Sequence, residues 1–366
     1  MSLISEYRES KIVLARHWPV IFFTEKKSDF QYLRHLFYLL KNENIELCYI
    51  TSDSMDPLLK GKEKGVAVFY FKYLFGFIFN KLKADCMFLT MPDLQQFLFK
   101  RSPAVAEYVY VFHALVSTHQ QYRPGAFDHY DTILCAGPHH EKEIRVRENK
   151  YKLPKKNLMP YGYPLLEGWS PEMEKINTTK ITIAPSWYPG CILETCFYEL
   201  VENLQKVDCN VKVRFHPEFV KRRKKKYEEI ARFIKATPDI TLDTEPDVRV
   251  SLSKTNILIT DRSGIAFEFA LATGRPVIFI DTAPKKFNDE ADNLGIMPIE
   301  NSFRSKIGVC IQPDQLDTIG GHINAITEKG NVGADYLKEE LVYDINQQTP
   351  VIKEYFISKI RNRIAH

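Results

Sequence analysis

The sequence predicts an α/β protein built as two doubly wound parallel-sheet halves facing a central cleft. Three observations carry that expectation. Short continuous apolar runs alternate with segments of helical spacing. The alternation breaks at a Gly- and Pro-rich link, Met159-Pro160-Tyr161-Gly162-Tyr163-Pro164, and then restarts. A length of 366 residues is long for one core and suits two domains.

The first half reads in order. Val20-Ile21-Phe22-Phe23-Thr24 is apolar and β-prone, so it is a strand, and Tyr32 to Leu40 then has helical spacing. Leu47–Thr51, Gly65–Phe69, Cys86–Thr90, Val109–Phe112 and Thr132–Cys135 are further strands. In the second half, Ile181–Pro185 is a strand and Ile192 to Gln205 a helix. Val211–Phe215 and Asn256–Thr260 are strands that end in polar turns. A helix follows from Ile265, then a strand through Val277–Ile280, and Ile307–Ile311 is the last core strand. The tail from Tyr336 to Arg363 has helical spacing and many charges, suited to crossing back onto the first half. The division is therefore 1–165, 166–335 and a C-terminal helix in 336–366.

Composition narrows the class. A net charge of +4 is too mild to indicate a nucleic-acid partner. The seven cysteines form no CxxC pair and lie in apolar segments, which predicts buried, reduced thiols in a cytoplasmic protein. No His or Cys set has zinc spacing. The first residues have no apolar core of a signal peptide, and no run reaches the roughly 18 apolar residues of a spanning helix.

The chemistry concentrates at strand ends. Thr260-Asp261-Arg262-Ser263-Gly264 is a turn between a strand and a helix, so Ser263, Gly264 and the next N–H groups form an anion site at a helix N-terminus. Asp261 orients this turn, Arg262 points to solvent, and Glu268 sits one helical turn on, placed for a ribose diol. Arg214-Phe215-His216-Pro217 ends another strand; His216 can donate to a phosphate oxygen and Arg214 adds charge. Ser186 and Trp187 end a third strand, one to touch a donor and the other to cover a base or glycerol unit. Together these suggest a nucleotide-diphosphate donor site.

Across the cleft, His113 ends the strand through Phe112 and is the better candidate acceptor base, with His119 in the same loop as a second. His139 opens a helix and is a weaker candidate for a phosphate or acceptor contact. Val68 to Lys83 is dense in aromatics with interspersed lysines; it suits either a buried strand and helix or a helix in an anionic membrane interface. Lys221–Lys226 is a basic run, either a solvated helix face or a contact for a polyanion.

These motifs resemble the CDP-glycerol glycerophosphotransferase family, the teichoic-acid primase and polymerase type. The resemblance rests on Arg214-Phe215-His216-Pro217, Thr260–Gly264, Gly274-Arg275-Pro276-Val277-Ile278-Phe279 and Tyr161-Gly162-Tyr163-Pro164. Phe112-His113-Ala114 stands where the family has Trp-His-Gly, and Ser263-Gly264 where Ser-Ser is common. It covers the middle of the chain, about residues 110–290. It implies a GT-B fold of two Rossmann-like domains, a CDP-activated polyol donor, no cofactor and no essential metal. It also implies a glycan or lipid-linked acceptor and work at the cytoplasmic face of a membrane, in teichoic acid or capsule polysaccharide assembly for the cell envelope. In these terms His113 is the acceptor base, His216 and Ser263 hold the pyrophosphate, and Glu268 holds the ribose. A CMP-sugar glycosyltransferase of capsule or lipopolysaccharide synthesis and a non-catalytic nucleotide- or glycan-binding subunit are the rival readings.

Overall fold

The computed structural model describes residues 2–61, 63–169, 178–284, 286–330 and 334–364. The apolar runs pair into two fully parallel sheets. The first joins β1 (Trp18–Thr24), β2 (Leu47–Thr51), β3 (Val66–Tyr70), β4 (Ala84–Leu89), β5 (Val105–Val111), β6 (Thr132–Cys135) and β7 (Asn157–Pro160) in the order 3-2-1-4-5-6-7. The second joins β8 (Thr179–Ile183), β9 (Cys209–Val213), β10 (Ile240–Leu242), β11 (Ile257–Thr260), β12 (Val277–Ile280) and β13 (Gly308–Ile311) in the order 10-9-8-11-12-13. The α/β class of two parallel sheets is as the alternation predicts. Central strands β2, β4 and β6 are buried along their whole length, which is why, Asp85 in β4 aside, they read as apolar runs.

Two short strands escaped the sequence reading. In β7 a terminal Pro160 disguises a sheet-edge strand, where a missing N–H costs no ladder bond. In β10 three residues between Asp239 and Asp243 are too few to show a period. The expected helix Ile192 to Gln205 is interrupted at Cys196, giving Ile192–Thr195 and Phe197–Leu204.

The tail is two helices, Ala334–Leu341 and Ile345–Ile364. The first packs on the helix Ile265–Thr273. The second lies on the first sheet, with Phe356 edge-on to Phe88 at 4.9 Å and the Tyr355 hydroxyl donating to Glu107 at 2.8 Å. The chain enters this helix past Gly162, whose φ of +99° and 2.5 Å approach of a would-be Cβ to the Tyr343 carbonyl admit only glycine.

The helix Ile265–Thr273 is apolar on nearly every side because it is buried between the halves; its Phe267, Phe269 and Leu271 join one continuous core with Phe112 and Leu337. The aromatic stretch 68–83 is largely core: Phe71, Phe75 and Phe79 are buried, and Phe75 packs on Phe23 at 4.2 Å. Within it Tyr73 and Phe77 are exposed. Six cysteines are buried thiols outside any disulfide, whereas Cys310 is exposed on the edge strand β13.

Candidate functional site

Each sheet reverses its strand order once, between β1 and β4 and between β8 and β11. Loops leaving the carboxyl ends of strands splay apart at such points and leave a crevice. Here the loops after β1, β4 and β5 face those after β8, β9 and β11 across a cleft of ≈ 830 Å³. Its lining includes His113, Ser186, Trp187, Arg214, His216, Ser263, Gly264 and Glu268.

On the second-half side, His216 has an extended backbone and caps the helix Pro217–Arg222, its Nδ1 accepting from the Glu218 N–H at 3.2 Å. With Nδ1 an acceptor, the neutral ring carries its proton on Nε2 and is a donor there. Arg214 also braces the end of β9: its Nη1 donates to Asp243 at 2.9 Å and to the Glu245 carbonyl at 2.7 Å. Trp187 lies on Phe287 at 5.2 Å with the Arg222 guanidinium 4.9 Å from its ring. Ser186 is 1% exposed, lines the cleft, and its Oγ has no hydrogen-bond partner. A buried hydroxyl without a partner carries a desolvation cost that a ligand oxygen would relieve.

Asp261 stands behind these residues and orients the turn. It is fully buried and accepts from the N–H groups of Ser186 at 2.9 Å, Arg262 at 2.7 Å and Ile192 at 3.1 Å. One carboxylate thus holds the β8 loop against the β11 turn. Gly264 is required by close approach: a Cβ there would sit 2.8 Å from Val116 Cγ1, in the loop of the other half. That explains a glycine after Ser263 at this turn.

On the first-half side, His113 Nδ1 lies 3.2 Å from the Tyr110 hydroxyl. Burial, with a smaller push from the Lys26 charge, lowers its pKa to about 4 against the pull of the Thr90 carbonyl. The imidazole is therefore neutral across the physiological range. Beneath it, the Tyr163 hydroxyl sits 3.1 Å from the His113 carbonyl and 2.7 Å from Glu268 Oε1. Burial raises Glu268 to about 7, Tyr163 opposing. Tyr163 and Glu268 join the link segment to the second-half helix directly below the candidate base.

Three expectations fail. His119 is buried outside the cleft, its Nε2 on the Ile296 carbonyl at 3.0 Å and its Nδ1 3.5 Å from Glu143. Burial lowers its pKa, but Glu143 prevails and holds it above the ordinary value. His139 lies tilted against His140 at 3.9 Å under the C-terminal segment, and burial lowers its pKa. Neither lines the cleft. Arg262 turns inward, with Nη2 on Asp281 at 2.5 Å and Nη1 on Asn301 at 2.9 Å.

The sequence reading also missed Lys26, Tyr32 and Thr90, all of which line the cleft. The signal was present, since the loops after the strands Val20–Thr24 and Cys86–Thr90 leave the same sheet edge.

The family model for CDP-glycerol:poly(glycerophosphate) glycerophosphotransferase matches residues 114–293. Over that segment the chain is similar to this glycerophosphotransferase family. The matched segment begins directly after His113 and contains every second-half residue of the cleft just described. Among solved structures, the chain is similar to the wall teichoic acid polymerase TagF, at 13% identity and TM-score 0.59 over 100% of this chain and 96% of that one. It is similar to a UDP-GlcNAc 2-epimerase from Neisseria meningitidis bound to UDP-GlcNAc, at 12% identity and TM-score 0.58 over 94% and 100%. The S. aureus MnaA–UDP structure matches at 12% and 0.60 over 94% and 97%. These likenesses establish the GT-B-type two-domain architecture. No curated protein sequence matches the chain.

Proposed function

We propose that this cleft moves glycerol phosphate, or a related polyol phosphate, from a CDP-activated donor to a hydroxyl of a glycan or lipid-linked acceptor of the cell surface. The observation that carries the reading is the opposition of His113, at the end of β5, to His216, Ser186 and Ser263, at the ends of β9, β8 and β11, in one cleft.

The donor pyrophosphate lies against the second half. His216 Nε2–H, the Ser186 hydroxyl, and the Ser263 hydroxyl with the N–H groups that open the helix Ile265–Thr273 stabilise the charge that collects on departing CMP. Trp187 covers the glycerol or the base, and Glu268 takes the ribose with the oxygen that Tyr163 leaves. The acceptor enters on the first-half side. The neutral His113 ring presents its unprotonated nitrogen to the acceptor hydroxyl and takes its proton as the new oxygen–phosphorus bond forms.

The same reading places the enzyme at a membrane face. Among the described residues no helix is long and apolar enough to cross a bilayer. The exposed Leu3, Ile4 and Tyr7 lie on a helix whose Glu6 accepts from the N–H groups of Tyr73 and Leu74, in the segment that exposes Tyr73 and Phe77. Lys11 and Lys72 flank the tyrosines, giving the apolar and basic mixture that suits anionic lipid.

Purified protein incubated with CDP-glycerol and a lipid-linked glycan primer tests the transfer. CMP release that needs both His113 and His216 supports it. Incorporation of a sugar from a CMP-sugar, without phosphorus in the product, contradicts it.

A further inference from the structure

The phosphoryl group in this transfer must lie between His113 and His216, and its non-bridging oxygens need a cation. Arg214 is the weaker candidate, because its charge is already paired with Asp243 through Nη1, which also donates to the Glu245 carbonyl. Lys26 is better placed. It leaves the carboxyl end of β1 at the switch point of the first sheet, and Asp29 fixes its backbone by accepting its N–H at 2.9 Å. Its Nζ reaches over the cleft to Glu218 Oε1 at 3.2 Å, two residues past His216, and its charge acts on the His113 ring.

Resting on the transfer reading above, we propose that Lys26 is the cation that meets the transferred phosphoryl group, released from Glu218 when the donor binds. The exchange is inexpensive. The Lys26 side chain is 59% exposed, and exposed pairs contribute little. Glu218 is not abandoned, since Arg222 Nε holds its other oxygen at 2.8 Å. In the step itself the acceptor oxygen bonds to phosphorus and its proton passes to His113. The bond from phosphorus to the CMP oxygen breaks, and CMP leaves with the electron pair. Lys26 exchanges no proton; it neutralises charge that grows on the phosphoryl oxygens and links the two halves of the cleft around the donor.

The test is calorimetric titration of the full chain with CDP-glycerol and, separately, with CMP, which lacks the transferred phosphate. Lys26→Ala should weaken CDP-glycerol by tenfold or more while moving CMP less than twofold. Lys26→Arg should recover most of the loss, and Glu218→Gln should leave CDP-glycerol binding intact. Melting curves confirm that the exposed substitution leaves the fold in place. Equal weakening of both ligands, or of neither, by Lys26→Ala overturns the assignment and leaves the transfer reading standing. A wild-type chain that binds neither ligand removes the reading and the assignment together.

Discussion

Tyr163, in the link segment, hydrogen bonds to Glu268 of the second-half helix at 2.7 Å, and the same hydroxyl lies 3.1 Å from the backbone carbonyl of His113. The base candidate and the donor domain are therefore tied through one side chain. Because the carboxyl is buried, this tie is sensitive to protons.

Glu268 and His113 titrate with opposite effects on stability. Glu268 has a folded pKa of about 7, above its ordinary value of 4.5, so the folded state holds more protons between those values. Stability from this group is present below about pH 4.5 and is lost as pH rises through 7, by something on the order of 3 kcal/mol. Glu268→Gln should flatten that slope, becoming more stable relative to wild type at pH 8 than at pH 5 in urea melts. Parallel behaviour at both pH values would contradict the buried, protonatable carboxyl.

His113 runs the other way. Its folded pKa of about 4 lies below the ordinary 6.5, so stability from the neutral ring is present above 6.5 and lost as pH falls through 4. The neutral base is already available at pH 5. A His113-dependent acid limb of kcat/KM should therefore lie near pH 4; a limb at 6.5 would mean that the ring titrates in water rather than in the wall of the cleft.

Gly264 faces Val116 across the halves with no room for a methyl group. Gly264→Ala should cost about 1–3 kcal/mol and reduce turnover, as overpacking does in a closed core. Adding Val116→Ala should restore much of both. If the single variant melts and turns over like wild type, the halves do not meet here as described.

Ser186 offers a cleaner separation of binding from folding. Its Oγ makes no hydrogen bond, so Ser186→Ala removes nothing that holds the fold. Nucleotide affinity should fall about tenfold or more with an unchanged melting temperature. A fall in melting temperature with affinity intact would assign the hydroxyl to structure.

The aromatic segment divides by position. Phe75 is 3% exposed and Phe77 69%, so Phe75→Ser should cost about 3 kcal/mol or more while Phe77→Ser is nearly neutral in solution. Sedimentation with anionic vesicles then isolates membrane contact, since only Phe77→Ser changes the surface and keeps the core.

Much of this molecule was legible because burial on both sheet faces leaves unbroken apolar runs, as in β12. Strand-end residues were legible for a related reason: a polar His216 or Ser263 directly after such a run has to leave at the sheet edge. What the sequence concealed was partnership. Nothing adjacent to Arg214 announces Asp243, and nothing near His119 announces Glu143, yet these pairs decide which charges the cleft retains. Lys26 was missed because a lysine after a strand looks like solvent dressing until Glu218 is found opposite. Short edge strands such as β10 have too few residues to show a period.

The fold is shared with proteins that bind UDP-sugars, so donor identity is the central claim to test. Calorimetry with CDP-glycerol and with UDP-GlcNAc, on wild type and His216→Ala, addresses it directly. Saturable binding of CDP-glycerol, much weaker binding of UDP-GlcNAc, and loss of the former in the variant are predicted. Tighter binding of UDP-GlcNAc, or CDP-glycerol binding indifferent to His216, would contradict the account.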